Sequence, residues 1–161
     1  MERIYDKKKI AACVGNGKYH EVLGSLDVDF CLMQYEKGEL VSSPFQNENL
    51  FQIVEEESIN IYFIRDDGTR YPLSSGTVDY FLGDMDIFYP KNNNIYAEAA
   101  ESLACLSFSI ERHREKLLSN NKFLELICNS LSTKIGVMTT IEAAGLVKKL
   151  GKGTYGLRGE I

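Results

Sequence analysis

The side chains that could carry out chemistry are few in this sequence and lie far apart. Asp84 and Asp86 are the only close carboxylates within an apolar stretch, and such a pair can bind a metal ion or act as acid and base. Alternation across a strand or turn is the simpler explanation of their spacing. His113 lies between Arg112 and Arg114, which predicts a solvated position at the start of a helix. The sequence contains no phosphate-binding loop, nucleophile elbow or paired-histidine metal motif, so we expect no enzyme.

The cysteines do not form a metal-binding pattern. They are widely separated and include no CxxC pair: Cys13, Cys31, Cys105 and Cys128. Cys31 and Cys105 stand in apolar runs, where free cysteine packs as a small hydrophobe. Cys13 has more polar neighbours, so we expect it to be the most exposed thiol, and redox sensing there is a minor alternative. No metal is expected.

The composition is that of one globular domain with its own core. The chain has 161 residues, of which 44% are hydrophobic, and 18 basic against 23 acidic residues give a net charge of −5. This acidic balance disfavours a protein that coats nucleic acid. Polar residues interrupt every apolar run before it could cross a membrane, and no apolar stretch of a signal peptide follows the basic start. We expect a cytoplasmic protein.

Hydrophobic spacing predicts short strands after a helical beginning. Residues 2–26 are predicted as helical pieces interrupted at Gly15 and Gly17. Asp67-Gly68 predicts the turn of a hairpin over 59–73, where apolar residues alternate with polar ones. The other predicted strands are 30–35, 50–54, 79–82, 95–99 and 103–109. Short, evenly spaced strands indicate an antiparallel sandwich or roll.

The pattern becomes helical after Ser109. A short helix is predicted over 110–118, and a second helix follows the break at 119–121. The second carries an apolar stripe at spacings of three and four residues: Leu124, Ile127, Leu131, Ile135 and Met138. Such a stripe either packs on the roll or forms a helix–helix seam, and spacing alone favours packing within the chain.

The last twenty residues differ from the rest. They carry Lys148, Lys149, Lys152 and Arg158 against Glu142 and Glu160, with several glycines. The composition fits either a small basic hairpin or a solvated terminus.

The order of these parts resembles the effector domain of the Crp/Fnr family of bacterial transcription regulators. Six local strings are similar to that family's, in the family's order: 35–41, 48–54, 65–69, 82–85, 99–106 and 131–135. The resemblance covers about residues 20–138 and implies a mainly β fold with flanking helices. It implies a double-stranded β-helix, that is, a cyclic-nucleotide-binding-like jelly roll, over 1–118, a dimerisation helix over 119–141, and the remnant of a winged helix or a disordered tail over 142–161.

The resemblance also implies a ligand pocket. Family members that bind a cyclic nucleotide use a glutamate for the ribose hydroxyl and an arginine for the phosphate. Asp84 stands at the glutamate position and Asn93 at the arginine position, and no arginine lies between Arg70 and Arg112. The implied pocket consists of Gly83, Asp84, Met85, Lys91, Asn93 and Asn94. We therefore expect a small-molecule effector that is not cyclic AMP bound in the usual manner, and no certain cofactor.

In that family the long helix pairs with its twofold mate, so the resemblance makes the apolar stripe a homodimer interface. Family members continue into a winged helix-turn-helix that reads DNA. Residues 142–155 look like the last part of such a domain, with the recognition helix missing. Should a DNA-binding segment exist in the full protein, Lys148, Lys149 and Lys152 are expected to contact phosphates.

Two functions follow. The leading prediction is the ligand-sensing domain of a Crp/Fnr-like transcription regulator. The alternative is a ligand-independent dimer that acts through protein contacts without binding DNA. A metal-dependent roll enzyme is set aside because no histidine lies between His20 and His113.

Overall fold

The chain folds into a β-roll of two antiparallel sheets with helices at one side. The computed structural model describes residues 1–88 and 95–148, with side chains described as far as 140 except for 138. The strands are β1 Glu2–Ile4, β2 Cys31–Tyr35, β3 Leu40–Ser42, β4 Leu50–Val54, β5 Ile59–Ile64, β6 Arg70–Gly76, β7 Phe81–Leu82, β8 Ile95–Ala99 and β9 Leu103–Ser109. The helices are α1 Lys7–Asn16, α2 His20–Gly24, α3 Ile110–Ser119 and α4 Asn121–Lys148, and a 3-10 turn spans Met85–Ile87.

The two sheets have the strand orders β1-β2-β9-β4-β7 and β3-β8-β5-β6, and every pairing is antiparallel. The hairpin predicted at Asp67-Gly68 is present, with Gly68 at a φ of +80°. The prediction of a helix was wrong for Glu2–Ile4, which pairs with β2 as an edge strand. That pairing joins residues about thirty positions apart, so local periodicity does not reveal it.

Two apolar clusters hold the fold together. One lies between the sheets and includes Met33, Val41 and Ile59. The other joins the first sheet to the helices, and its largest fully buried side chains are Phe51, Phe108 and Phe123. The Phe51 and Phe123 rings meet edge to face at a centroid distance of 5.5 Å. This contact fixes the start of α4 on the roll.

Helix α4 begins where the sequence predicts and continues further. The Asn120 side chain accepts a hydrogen bond from the Phe123 N–H at 3.0 Å, which is a helix N-cap. The helix extends to Lys148, so the first part of the predicted tail is helical rather than a strand of a hairpin. Its local sequence, rich in alanine and leucine, favours a helix and tolerates one glycine.

Two predictions about single side chains were wrong. His113 is buried rather than solvated, because its Nε2 accepts a hydrogen bond from the Asp29 N–H at 3.2 Å and its ring meets Phe108 edge on. The exposed thiol belongs to Cys128 on α4, whereas Cys13 is half-buried and burial raises its pKa to about 11. Cys31 and Cys105 are buried, as their apolar neighbours predict.

In the part of the chain that the structure describes, no helix is long and apolar enough to cross a membrane.

Candidate functional site: a cavity between the roll and the last helix

A cavity of about 500 Å³ lies where α4 crosses the roll. Its volume falls within the range of sites for small organic molecules. Apolar side chains from both elements form most of its wall: Ile61, Leu73, Tyr80, Leu82, Met85, Phe88, Ile95, Leu131, Ile135 and Val137. Polar side chains of Ser42, Ser74, Ser75 and Thr133 also line it. A molecule in this cavity would contact the roll and α4 at once.

The turn at Gly83 sets the edge of the cavity. Gly83 has a φ of +83°, and a Cβ there would lie 2.3 Å from the Leu50 carbonyl oxygen. Both the backbone conformation and the close approach to β4 therefore require glycine. The turn leads directly into Asp84, whose carboxylate accepts a hydrogen bond from the Met85 N–H at 3.1 Å and starts the 3-10 turn.

Asp84 is 2% exposed and is already bound from α4. Its Oδ2 accepts hydrogen bonds from Ser130 Oγ at 2.7 Å and from Lys134 Nζ at 2.7 Å. The two donors are four residues apart, so they lie on the same face of the helix. We call Asp84, Ser130, Lys134 and the Phe81 carbonyl the Asp84 cluster. It is the polar connection between the edge of the roll and the middle of α4.

Lys134 is the cation of the Asp84 cluster. Its ammonium group also donates to the Phe81 carbonyl at 2.7 Å and lies 4.5 Å from the centre of the Tyr80 ring. Burial lowers the pKa of Lys134, while Asp84 acts in the opposite direction. Burial also raises the pKa of Tyr80, and the negative charge of Asp84 adds to that effect. Every strong contact of the ammonium is therefore with the roll.

Solved structures share this architecture, whereas no protein-family model and no curated protein sequence matches the chain. A CooA mutant from Carboxydothermus hydrogenoformans aligns with a TM-score of 0.61 and 16% identity, over 83% of this chain and 82% of that one. The regulator CLP of Xanthomonas campestris, described as responsive to c-di-GMP, aligns at 0.63 and 18%, over 74% and 60%. The sensor domain of the transcriptional regulator DNR from Pseudomonas aeruginosa aligns at 0.56 and 18%, over 80% and 87%.

The chain has the fold of a Crp/Fnr sensor domain. The fold class expected from the sequence resemblance is thereby confirmed, including the roll and the long helix that follows it. The similarity is one of fold, because identities this low carry no residue roles from one protein to another.

Within this Crp/Fnr fold, three of the six predicted pocket residues lie at the wall of the cavity: Gly83, Asp84 and Met85. Lys91, Asn93 and Asn94 lie outside the described residues. Lys134 was missed, because the sequence pattern placed it only on a face of the helix away from the apolar stripe. The four-residue spacing of Ser130 and Lys134 was the available signal, but it does not identify a partner on the roll.

The residues of the predicted stripe on α4 differ in how deeply they are buried. Ile127, predicted as part of a dimer interface, is completely buried in its own chain and offers no accessible surface in the single chain. Leu124 and Leu131 are half-buried, while Ile135 is 64% exposed. The side chain of Met138 lies outside the described part. Lys148 is the last residue of α4, and its side chain lies outside the described part. Lys149 and Lys152 lie outside the described residues altogether.

Proposed function

We propose that this chain is the ligand-sensing domain of a Crp/Fnr-like transcription regulator that acts in the cytoplasm. The observation that carries the proposal is the cavity, whose wall is shared by the roll and α4. A ligand that binds one arrangement of these two elements more tightly shifts the population toward it, and α4 carries that shift out of the domain. The fold of the solved sensor domains supports this role.

The effector we propose is a small molecule with an apolar body rather than cyclic AMP in the usual manner. Met85, Ser130 and Lys134 already donate to the Asp84 carboxylate, so a ribose hydroxyl would have to compete with donors of the chain itself. Among the described residues that line the cavity, Lys134 is the single cation, and it is paired with Asp84. A buried cyclic phosphate needs a charge-assisted partner, and losing one costs about 1.5–3 kcal/mol.

Binding of the neutral fluorescent dye prodan tests the cavity. We expect saturable binding to one site, and Leu73→Trp, which fills the cavity, is expected to weaken it about tenfold or more. Val78→Trp adds the same ring at an exposed position outside the cavity and serves as the matched control. Absence of saturable binding, or equal loss in both variants, would contradict a ligand site here. Displacement of the dye by cyclic AMP would contradict the proposed effector class.

We also propose that the domain forms a homodimer through α4, along a seam whose Leu131 and Ile135 also border the cavity. Leu124, Cys128, Leu131 and Ile135 follow each other at spacings of four, three and four residues, which is the seam of a two-stranded coiled coil. Cys128 and Ile135 are exposed in the single chain, so their side chains are accessible to a second copy. If a DNA-binding segment exists in the full protein, Lys148, Lys149 and Lys152 are proposed to contact phosphates.

Light scattering and cross-linking test the dimer. Ile135→Asp is expected to convert dimers to monomers, while Asn129→Asp, an exposed residue on another side of α4, is expected to leave the mass unchanged. Mild oxidation is expected to link two chains through Cys128, and Cys128→Ser is expected to abolish the link. A monomeric wild-type protein at micromolar concentration would refute this interface.

The Asp84 cluster favours a second candidate function, a dimer that regulates by protein contact and needs no ligand. Its hydrogen bonds already join α4 to the roll through groups of the chain itself. The two candidates differ in one observable. A ligand sensor changes the amide hydrogen exchange of α4 when prodan fills the cavity, and a ligand-independent dimer does not.

A further inference from the structure

The groups that surround the Lys134 ammonium form a site for a primary amine. They are the Asp84 carboxylate, the Phe81 carbonyl and the face of the Tyr80 ring, and we call them the ammonium site. Two acceptors at 2.7 Å and a π face at 4.5 Å match the three donors of an alkylammonium group. All three groups belong to the roll, whereas the cation that fills the site comes from α4.

The site is built independently of Lys134. Gly83 lets the turn lie against β4 and thereby positions Asp84, because a Cβ added at this residue would lie 2.3 Å from the Leu50 oxygen. The Phe81 carbonyl is held by the short strand β7, which pairs with β4. The Tyr80 ring packs against Gly76, where an added Cβ would lie 2.5 Å from the ring. These positions are set by the strands, so they do not depend on which ammonium group occupies the site.

The cavity adjoins this site and is suited to the rest of an amine ligand. Asp84, Tyr80 and Lys134 all line the cavity, whose wall is otherwise largely apolar. A molecule that carries a primary ammonium on an apolar body could place the ammonium on Asp84 and the body in the cavity. It would have to displace Lys134, which acts at an effective concentration of roughly millimolar because it is part of the same chain.

We propose that Lys134 is a built-in occupant of an ammonium site on the roll, and that the effector is a primary amine with an apolar body that displaces it. The inference rests on the proposed sensing function and names the ligand class for the same cavity. Displacement breaks the hydrogen bonds from Lys134 to Asp84 and Phe81. Part of the attachment of α4 to the roll is then lost, while Phe123 and Ile127 keep the start of the helix in place.

Chemical rescue tests the site directly. Lys134→Ala is expected to lower the melting temperature by several degrees, and n-butylammonium at tens of millimolar is expected to restore at least half of that loss. Tetramethylammonium, which has no N–H donor, and n-butanol, which has no charge, are expected to restore none of it. Lys122→Ala removes an exposed lysine from the same helix and is expected to show neither loss nor rescue. Equal rescue by the three additives would overturn the proposal.

The double variant Asp84→Asn with Lys134→Ala identifies the group that holds the amine. We expect no rescue by n-butylammonium in this protein, because its carboxylate is gone. Rescue as strong as in the single variant would show that the amine binds elsewhere and would overturn the proposal. Binding of prodan to the wild type is measured separately, so loss of the amine site leaves the proposed cavity and its sensing function standing.

A second measurement uses the wild-type chain and applies even if Lys134→Ala does not fold. Phenylbutylammonium is expected to speed amide hydrogen exchange in α4 from Ser130 onward, with the exchange of residues 121–127 unchanged. Phenylbutanol fills the cavity but leaves Lys134 on Asp84, so like prodan it is expected to slow the exchange of these residues rather than speed it. Asp84→Asn is expected to remove the difference between the two compounds. The same exchange with amine and alcohol would overturn the proposal.

Discussion

Two buried polar networks serve different parts of this molecule. In the first, Gln52 is 1% exposed, accepts a hydrogen bond from the Tyr35 hydroxyl at 2.7 Å and donates to the Val41 carbonyl at 2.9 Å. Ser107 also donates to Gln52, at 3.3 Å. We call these four residues the Gln52 network. All of its members are neutral and lie on the strands β2, β3, β4 and β9. The Asp84 cluster is charged and joins the roll to a helix.

The difference between the two networks indicates which part of the molecule is fixed and which can move. Neutral groups on paired strands are satisfied once the roll has formed, and no external molecule offers them a better partner. A carboxylate paired with an ammonium can exchange that ammonium for another, because any ammonium group that reaches the site compensates the charge of the buried carboxylate. We therefore expect the Gln52 network to govern global stability and the Asp84 cluster to govern the attachment of α4.

Breaking the Gln52 network is expected to have the largest effect. Gln52→Leu leaves the buried Tyr35 hydroxyl without an acceptor and is expected to cost about 3 kcal/mol of unfolding free energy in denaturant titrations. Adding Tyr35→Phe to this variant removes the unpaired donor and is expected to cost little more. A cost of Gln52→Leu below about 1 kcal/mol would show that the network contributes little.

Breaking the Asp84 cluster is expected to have a smaller and more local effect. Asp84→Asn keeps the shape but removes the charge that Lys134 contacts, and we expect a cost of about 2 kcal/mol. Amide hydrogen exchange is expected to rise in α4 from Ser130 onward and to stay unchanged in β2 and β9. A uniform rise across the whole chain would contradict a separate role for the cluster.

The pH dependence of stability sharpens the comparison further. Burial lowers the pKa of Lys134, so between its folded-state and ordinary pKa values the unfolded chain binds the proton that the folded chain has released. The contribution of Lys134 to the unfolding free energy therefore rises with pH across that alkaline window. The unfolding free energy of the wild type, measured relative to that of Lys134→Met, is therefore expected to increase as the pH rises. The groups facing Lys134 that also titrate, Asp84 and Tyr80, are present in both proteins. A difference that falls with pH would contradict this sign.

Thiol labelling compares α4 with the interior of the roll without disturbing the stability of the fold. Cys128 on α4 is exposed and is expected to react first with a colorimetric disulfide reagent at neutral pH. Cys13 is expected to follow slowly, because burial raises its pKa to about 11. Cys31 and Cys105 inside the roll are expected to react only after unfolding. The Cys128→Ser variant identifies the first phase, and fast labelling that survives in it would assign that phase to another thiol.

The sequence predicted the elements of the roll better than the contacts of its site. The Asp67-Gly68 turn and the alternation on β5 are local patterns, and both are present in the structure. The N-cap at Asn120 is likewise local. Lys134 and Asp84 are 50 residues apart, and nothing in the residues around either one specifies the other. His113 was misjudged for the same reason, since its partner at Asp29 comes from a distant loop.

The contact between Lys134 and the Tyr80 ring has an optical consequence. The chain contains nine tyrosines and no tryptophan, so one introduced indole would be the single group excited at the red edge of protein absorption. Tyr80→Trp would place that indole beside an ammonium group whose electric field shifts its emission. The wavelength of the emitted light would then report whether Lys134 is in place.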